Sequence, residues 1–235
     1  MRSSIAAFCC ALASASAASA DELRPDTTGF YPMWENTGHI ERSGDIHLGS
    51  TGAQVGIADV GHIGVQPINF IYRSPNAYAK VELLRAGRWT VAAQAGAYRL
   101  MTGAALAFFS PMYSTRLDNR DFGITLAPVS LSASFEAARW LEVHQTVTAL
   151  GVYSSGAVRS GVTGGYSVVA ELNPHGRHGL SFHAADAGIL IRDLALAGAA
   201  YRYRNTWMEM RLGYFYRLTR AGVQATPLVA LGVLL

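Results

Sequence analysis

The chain has almost no cysteine, few charges and no long apolar run. Its two cysteines, Cys9 and Cys10, stand together near the start. Beyond them no thiol remains, which excludes a disulfide framework, a thiolate metal site and a cysteine nucleophile from the rest of the chain. Only 15% of the 235 residues are charged, and a net charge of +3 marks no nucleic-acid-binding surface. Lysine is nearly missing: Lys80 is the single one among 19 basic residues, the others being Arg, as in the coding of a GC-rich genome. No phosphate loop, zinc spacing, dinucleotide fingerprint or internal repeat is visible. Half of the residues are hydrophobic, yet past the first residues no stretch approaches the ~20 apolar residues of a transmembrane helix. A chain this apolar has to hide its apolar groups by alternation.

What is present begins with an export signal. Arg2 supplies a positive start, Ile5 to Leu12 a short apolar stretch, and Ala18-Ser19-Ala20 the small-x-small pattern of a cleavage site. Residues 1–20 are therefore expected to be removed before Asp21, taking both cysteines with them and leaving 215 of the 235 residues. The apolar stretch is too short for a membrane anchor. Phe8 before Cys9, and the position of both cysteines inside the apolar stretch, exclude a lipoprotein.

The mature part alternates with period two. Tyr78 to Tyr98 reads as a hairpin: Ala79, Val81 and Leu83 oppose Tyr78, Lys80 and Glu82, and after a turn Trp89, Val91, Ala93, Ala95 and Ala97 oppose Thr90, Gln94 and Tyr98. The device recurs. Val129, Leu131, Ala133 and Phe135 alternate with Ser130, Ser132, Ser134 and Glu136, then comes Trp140, then Leu141, Val143 and Val147 against Glu142, His144, Thr146 and Thr148. A third copy runs Ala195 to Tyr203, then Trp207, then Met208 to Tyr216 against Glu209 and Arg211. Such alternation marks strands with unlike faces. Three short turns are each followed at once by Trp. Trp and Tyr favour a membrane–water boundary, so Trp89, Trp140, Trp207, Tyr201 and Tyr203 are the expected boundary aromatics.

The pattern predicts an all-β fold: a transmembrane, antiparallel, up-and-down β-barrel of about twelve strands, with ten as the alternative if residues 50–65 are irregular. Strands are expected near 40–48, 53–58, 62–71, 77–85, 88–98, 123–136, 140–152, 163–172, 179–187, 190–203, 207–217 and 223–235. Both ends of this series fall on the side of the Trp turns, the periplasmic side of an outer-membrane barrel. Residues 21–39 are expected to form a periplasmic lead-in or plug, and residues 40–235 the barrel. Residues 99–122, with Pro111 and the polar Leu117 to Asp121, suit an extracellular loop. A soluble secreted β-protein is the alternative at the level of the fold.

The run Val55-Gly56-Ile57-Ala58-Asp59-Val60-Gly61-His62-Ile63-Gly64-Val65 resembles a hairpin common in porin-like bacterial outer-membrane proteins, many of them described only as transporter-like. The resemblance covers a short stretch and implies a tight periplasmic turn and an outer-membrane location. It carries no active site. One departure lies at the last residues, Val233-Leu234-Leu235, where such barrels place an aromatic for the assembly machinery.

If the apolar set faces lipid, the polar set faces the lumen. Parity therefore assigns Lys80, Glu82, Gln94, Glu136, Glu142, His144, Glu171, His183, Glu209 and Arg211 to the interior. The glutamates lie within a few residues of short turns and should gather in the lower lumen, with Lys80, Arg88, Arg139 and Arg211 at similar height. Two readings follow: a paired network that fills the barrel, or the wall of a narrow pore biased by charge. The function classes are accordingly a small-solute channel, a structural or surface-interaction barrel, and, third, an outer-membrane enzyme. Outer-membrane lipid hydrolases place Ser two residues after His on one strand, and no His-x-Ser occurs here. Only His144-Gln145-Thr146 keeps a hydroxyl at that spacing. His183 and Asp186 have opposite parity, and His175-Gly176-Arg177-His178 reads as a polar turn rather than a metal pair. The expectation is no enzyme, no catalytic or metal-ligating residue and no cofactor. Expected partners are outer-membrane lipids and the barrel-assembly machinery, and no nucleic acid. A membrane barrel of this kind, purified in detergent, should change its gel mobility on heating. A chain that stays in solution without detergent and runs unchanged would be the soluble alternative.

Overall fold

The structure is a computed structural model that describes residues 37–50, 52–71, 74–101, 123–154, 161–186, 195–219 and 222–235. The expected signal with Ala18 and Ala20, residues 21–36 of the lead-in and most of 99–122 lie outside the described residues.

Twelve antiparallel strands close on themselves. They are β1 (Ile46–Gly49), β2 (Ala53–Ile57), β3 (Gly61–Val65), β4 (Asn76–Ala86), β5 (Trp89–Met101), β6 (Gly123–Ala138), β7 (Leu141–Ser154), β8 (Gly161–Leu172), β9 (His178–Asp186), β10 (Ala195–Arg204), β11 (Met208–Thr219) and β12 (Gly222–Leu234). Each pairs with its neighbours in sequence, and β1 joins β12 through His47 opposite Leu234 and Leu48 opposite Val233. Closure leaves no unpaired edge, the condition for sheet in a bilayer.

One end carries only short connections: 58–60, 87–88, 139–140, 173–177 and 205–207. Trp89, Trp140 and Trp207 lie there, all exposed. Trp89 packs against Phe135 of β6, its partner in register, with ring centroids 4.5 Å apart and the rings tilted by 32°. β1 starts and β12 finishes at this Trp end. The turn after β2 brings Ala58 and Asp59 to φ of 52° and 55°, and Val60 N–H donates to the Ile57 carbonyl. Two successive positive φ angles make the tight hairpin turn that matches strand twist.

The two faces of the strands are sorted by parity. Val129, Leu131, Val147, Leu212, Val229 and Leu231 point outward and are exposed. Ser130, Ser132, Ser134, Thr146, Thr148 and Ser167 point inward and are buried. Apolar outside and polar inside is the reverse of a water-soluble barrel, and it suits a surround of hydrocarbon. Gln145, which interrupts the outer apolar face of β7, accepts from the Tyr166 hydroxyl at 3.3 Å. Toward the opposite end the inner face turns apolar, where Tyr98, Leu126 and Leu150 pack together.

The structure differs from expectation at two strands, the first and the third. The first begins at Ile46, not Ile40. The alternation of Ile40, Glu41 and Arg42 belongs instead to a segment that enters the lumen. The third ends at Val65, because Pro67 has no N–H for the ladder and opens the one-turn helix α1 (Pro67–Ile71). The tenth is described from Ala195, and residues 190–194 of its expected range lie outside the described residues. The pairing of β2 with β3 over residues 53–65 removes the ten-strand alternative.

Val147 sits midway along β7, 58% exposed on the outer face. Val147→Arg is expected to destabilise the barrel in lipid by about 2–4 kcal/mol. The midpoint of denaturant unfolding measures it, and an unchanged midpoint would place Val147 away from hydrocarbon.

Candidate functional site

The lower lumen is built where parity, register and an inserted segment meet. Between β6 and β7 the inner face forms a ladder of side-chain bonds. Ser130 meets Thr148 at 3.0 Å, Ser132 meets Thr146 at 2.9 Å, and Ser134 Oγ meets His144 Nδ1 at 2.7 Å. Each pair is directly opposite in register. One step nearer the Trp end, Glu136 opposes Glu142, and Glu142 opposes Glu171 of β8. Three carboxylates therefore stand abreast on neighbouring strands, an arrangement that is unfavourable without cations or protons among them.

Arginines of β10 and β11 answer part of this charge. Arg202 Nη2 reaches Glu171 Oε1 at 3.2 Å and donates to the Pro174 carbonyl at 2.8 Å, which draws the 173–177 turn inward. Arg204 lies 3.8 Å from Glu209, and Arg211 donates to the same carboxylate. All of these side chains are buried.

The rest is answered by residues 37–45, of which Thr37 to Glu41 lie inside the barrel and Arg42 to Gly44 are exposed. Lys80 Nζ donates to Thr37 Oγ1 at 3.4 Å. Gly38 N–H donates to Ser134 Oγ at 2.7 Å. His39 Nε2 meets Glu142 Oε1 at 2.6 Å. Glu41 N–H donates to His62 Nδ1, and Glu41 Oε1 accepts from Gln54, which in turn accepts from the Tyr78 hydroxyl. Ser43 N–H donates to Asp59 Oδ1 at 2.8 Å, and Ser43 bridges to Gly56. Two glycines permit this approach. A Cβ on Gly38 would strike the Thr90 carbonyl oxygen, and one on Gly56 would strike the Arg42 carbonyl oxygen. Thr37, His39, Glu41 and Ser43 each meet a polar residue of the wall.

Of the residues assigned to the lumen by parity, the structure buries Lys80, Gln94, Glu142, His144, Glu171, His183, Glu209 and Arg211. Glu82 and Glu136 are half-buried beside register shifts, between Glu82 and Leu84 and between Glu136 and Ala138. Glu82 pairs with Arg85 near the rim, at 2.6 Å. Arg88 and Arg139 are exposed on the turns and do not join the network. Tyr201 and Tyr203 lie on the outer face, half-buried, with the His178 ring stacked beside Tyr201, whose hydroxyl lies 2.6 Å from Nδ1. Sequence reasoning missed Arg202, which alternates with those tyrosines and reads as part of an apolar strand, and Arg204, which reads as the first residue of the turn before Trp207. It also missed Ser134 as the partner of His144. A search for Ser two residues from His looks along one strand, whereas this contact crosses the β6–β7 hairpin. The short turn at 139–140 was the signal that could have supplied that register.

The arrangement puts a hydroxyl, an imidazole and a carboxylate in a row. His144 Nε2 lies 3.5 Å from Glu171 Oε2, on the far side of the ring from Ser134. Ser134 and His144 are each 1% exposed, and the serine oxygen is already held by Gly38. The row is closed to any substrate as it stands.

No family model matches the chain, and no curated protein matches it. Among solved structures it is similar to the outer membrane protein Ail of Yersinia pestis, whose backbone structure was determined in a phospholipid bilayer nanodisc. The identity is 11% and the TM-score 0.31, over 83% of this chain and 100% of that one. What the chain does is therefore read from its own geometry.

The Arg202–Glu171 pair tests how tightly the network is balanced. Arg202→Met leaves a buried carboxylate without its cation and is expected to lower stability by about 3–5 kcal/mol. Adding Glu171→Gln should restore more than half of that loss. A single substitution that leaves the unfolding midpoint unchanged would mean that the pair is open to water.

Proposed function

We propose that the chain is an outer-membrane channel of the plugged kind: a narrow path for small polar solutes, closed by residues 37–45. The observation that carries this reading is the segment itself. Eight strands give a lumen that wall side chains alone can fill, and the lumen widens with strand number. A twelve-stranded ring therefore leaves space along its axis, and in this chain a stretch of backbone occupies it. The segment is held mainly by polar contacts, with Ile40 as its buried apolar side chain. Its removal would leave a polar, charged passage of the sort that selects by size and charge.

The outward apolar face, the Trp end and the alternating pattern support an outer-membrane location, with membrane lipids and the barrel-assembly machinery as partners. The export-signal pattern of residues 1–20 supports the same route. A non-enzymatic role is favoured by the burial of the Ser134–His144 pair. A filled barrel that works through its outer connections is the second reading. The density of the serine and threonine ladder favours it.

Conductance in planar bilayers separates the two. The intact chain should be silent. Removal of residues 21–45, or Gly38→Val, which forces the segment off β5 and β6 without touching a strand, should give steady ohmic steps. Steady steps from the intact chain would end the plug. Silence from both variants, each shown to be folded by its heat-shifted gel mobility, would end the channel and leave the filled barrel.

A further inference from the structure

We propose that His39, Glu142 and His144 bind a divalent transition cation of the zinc type, which would fasten the inserted segment to the barrel wall. The site is independent of conduction: it stands whether or not the segment ever leaves the lumen.

The three residues come from two places in the chain. Glu142 and His144 are two apart on β7, so both point inward. His39 arrives from the inserted segment, 103 residues earlier than Glu142. One ligand atom from each lies within 4.8 Å of the others. The rings of His39 and His144 stand edge to face, with centroids 6.0 Å apart. Two imidazole nitrogens and one carboxylate oxygen, with a fourth position left for water or another ligand, is a donor set that zinc takes in proteins. Ligand atoms around tetrahedral zinc stand about 3.3 Å apart, given zinc–ligand bonds of about 2.0–2.1 Å. His39 and Glu142 need open only slightly from their 2.6 Å hydrogen bond, and the ion would replace the proton between them. His39 lies outside every strand, so this shift disturbs no ladder.

A second observation points to a ligand. His144 Nε2 and Glu142 Oε2 are buried, and neither makes a hydrogen bond. Leaving such atoms without a hydrogen bond is unfavourable. The other nitrogen of His144 is fixed by Ser134 Oγ at 2.7 Å. That oxygen accepts from Gly38 N–H and has a second lone pair for His144 Nδ1–H. With Nδ1–H given to Ser134, the imidazole turns its Nε2 lone pair toward the glutamates, Glu171 Oε2 standing 3.5 Å away, and it is oriented by its neighbour as ligating histidines usually are.

Charge balance agrees. Glu136, Glu142 and Glu171 stand abreast in register, and Arg202 is bound to Glu171 alone among the three. A dication beside Glu142 would offset the remainder. Two nitrogen ligands argue against calcium or magnesium, which take oxygen.

The test uses the untagged full-length barrel in detergent, stripped with a chelator and titrated with cobalt(II) and zinc. One equivalent should bind, with the visible absorption of four-coordinate cobalt, and zinc should displace it. His39→Ala and Glu142→Gln should each weaken binding by more than about 100-fold, beyond the usual loss from an outer-sphere partner. Ser134→Ala should weaken it by about 10- to 100-fold. His47→Gln, a lumen histidine outside the cluster, should bind as the parent does. Since His39 lies outside the strands, His39→Ala decides the matter should a β7 variant fail to fold. The proposal is overturned by the absence of stoichiometric cobalt, by His39→Ala binding as tightly as the parent, or by calcium binding equally well.

Discussion

Ring closure between β1 and β12 is the constraint on which the rest of the molecule depends. Four residues of β1 suffice to join Leu234 and Val233 on one side to Val55 and Gln54 on the other. With every strand flanked by two others, the ladders can satisfy the backbone groups of the wall. The two faces are then free to meet different surroundings, and a period of two decides which side chain meets which. Because the period is two, a slip of one residue would turn Ser130, Ser132 and Ser134 toward lipid and Val129 and Leu131 into the lumen. The register across β5, β6 and β7 is thus held by the penalty for exchanging the faces as much as by the turns at 87–88 and 139–140.

Closure at twelve strands also sets the width, and the width creates the problem that residues 37–45 answer. On β6 and β7 many inner side chains are of modest size, Ser and Thr, and leave room along the axis. A chain segment entering that space brings its own N–H and C=O groups, which must find partners away from bulk water. The polar wall provides them: Ser134 for Gly38, His62 for Glu41, Asp59 for Ser43. Polarity on the inner wall and insertion of the segment are one solution seen from two sides. Gly38 and Gly56 mark where backbone meets backbone too closely for a side chain.

Period two made the long strands readable from the sequence, together with the turns marked by Trp and the inward set that includes Lys80, Gln94, Glu142 and Glu171. The same signal was blind in three respects. It tells which residues share a face but says nothing of what occupies the lumen, so Ile40 and Glu41 looked like one more strand. It treats tyrosine as apolar, which hid Arg202 between Tyr201 and Tyr203, and it gave Arg204 to the turn that follows. It works along a strand, whereas Ser134 and His144 meet across one, ten residues apart through a hairpin. The expected strand over 62–71 failed for a local reason, since Pro67 cannot donate to a ladder and its fixed φ suits the first turn of a helix.

The charge of the lower lumen and the position of the inserted segment are coupled through two residues. Gly38 and His39 touch Ser134 and Glu142, and these belong to the same hairpin that carries His144. If the segment withdrew, Glu142 would lose its hydrogen bond to His39, and Ser134 would lose its bond from Gly38. Buried beside Glu136 and Glu171, the carboxylate would then need water, a proton or a cation in place of His39. The converse holds by reciprocity: whatever occupies Glu142 in competition with His39 favours withdrawal, and whatever binds both together opposes it. Two adjacent contacts, at Gly38 and His39, thereby join the electrostatics of the wall to the closing of the barrel.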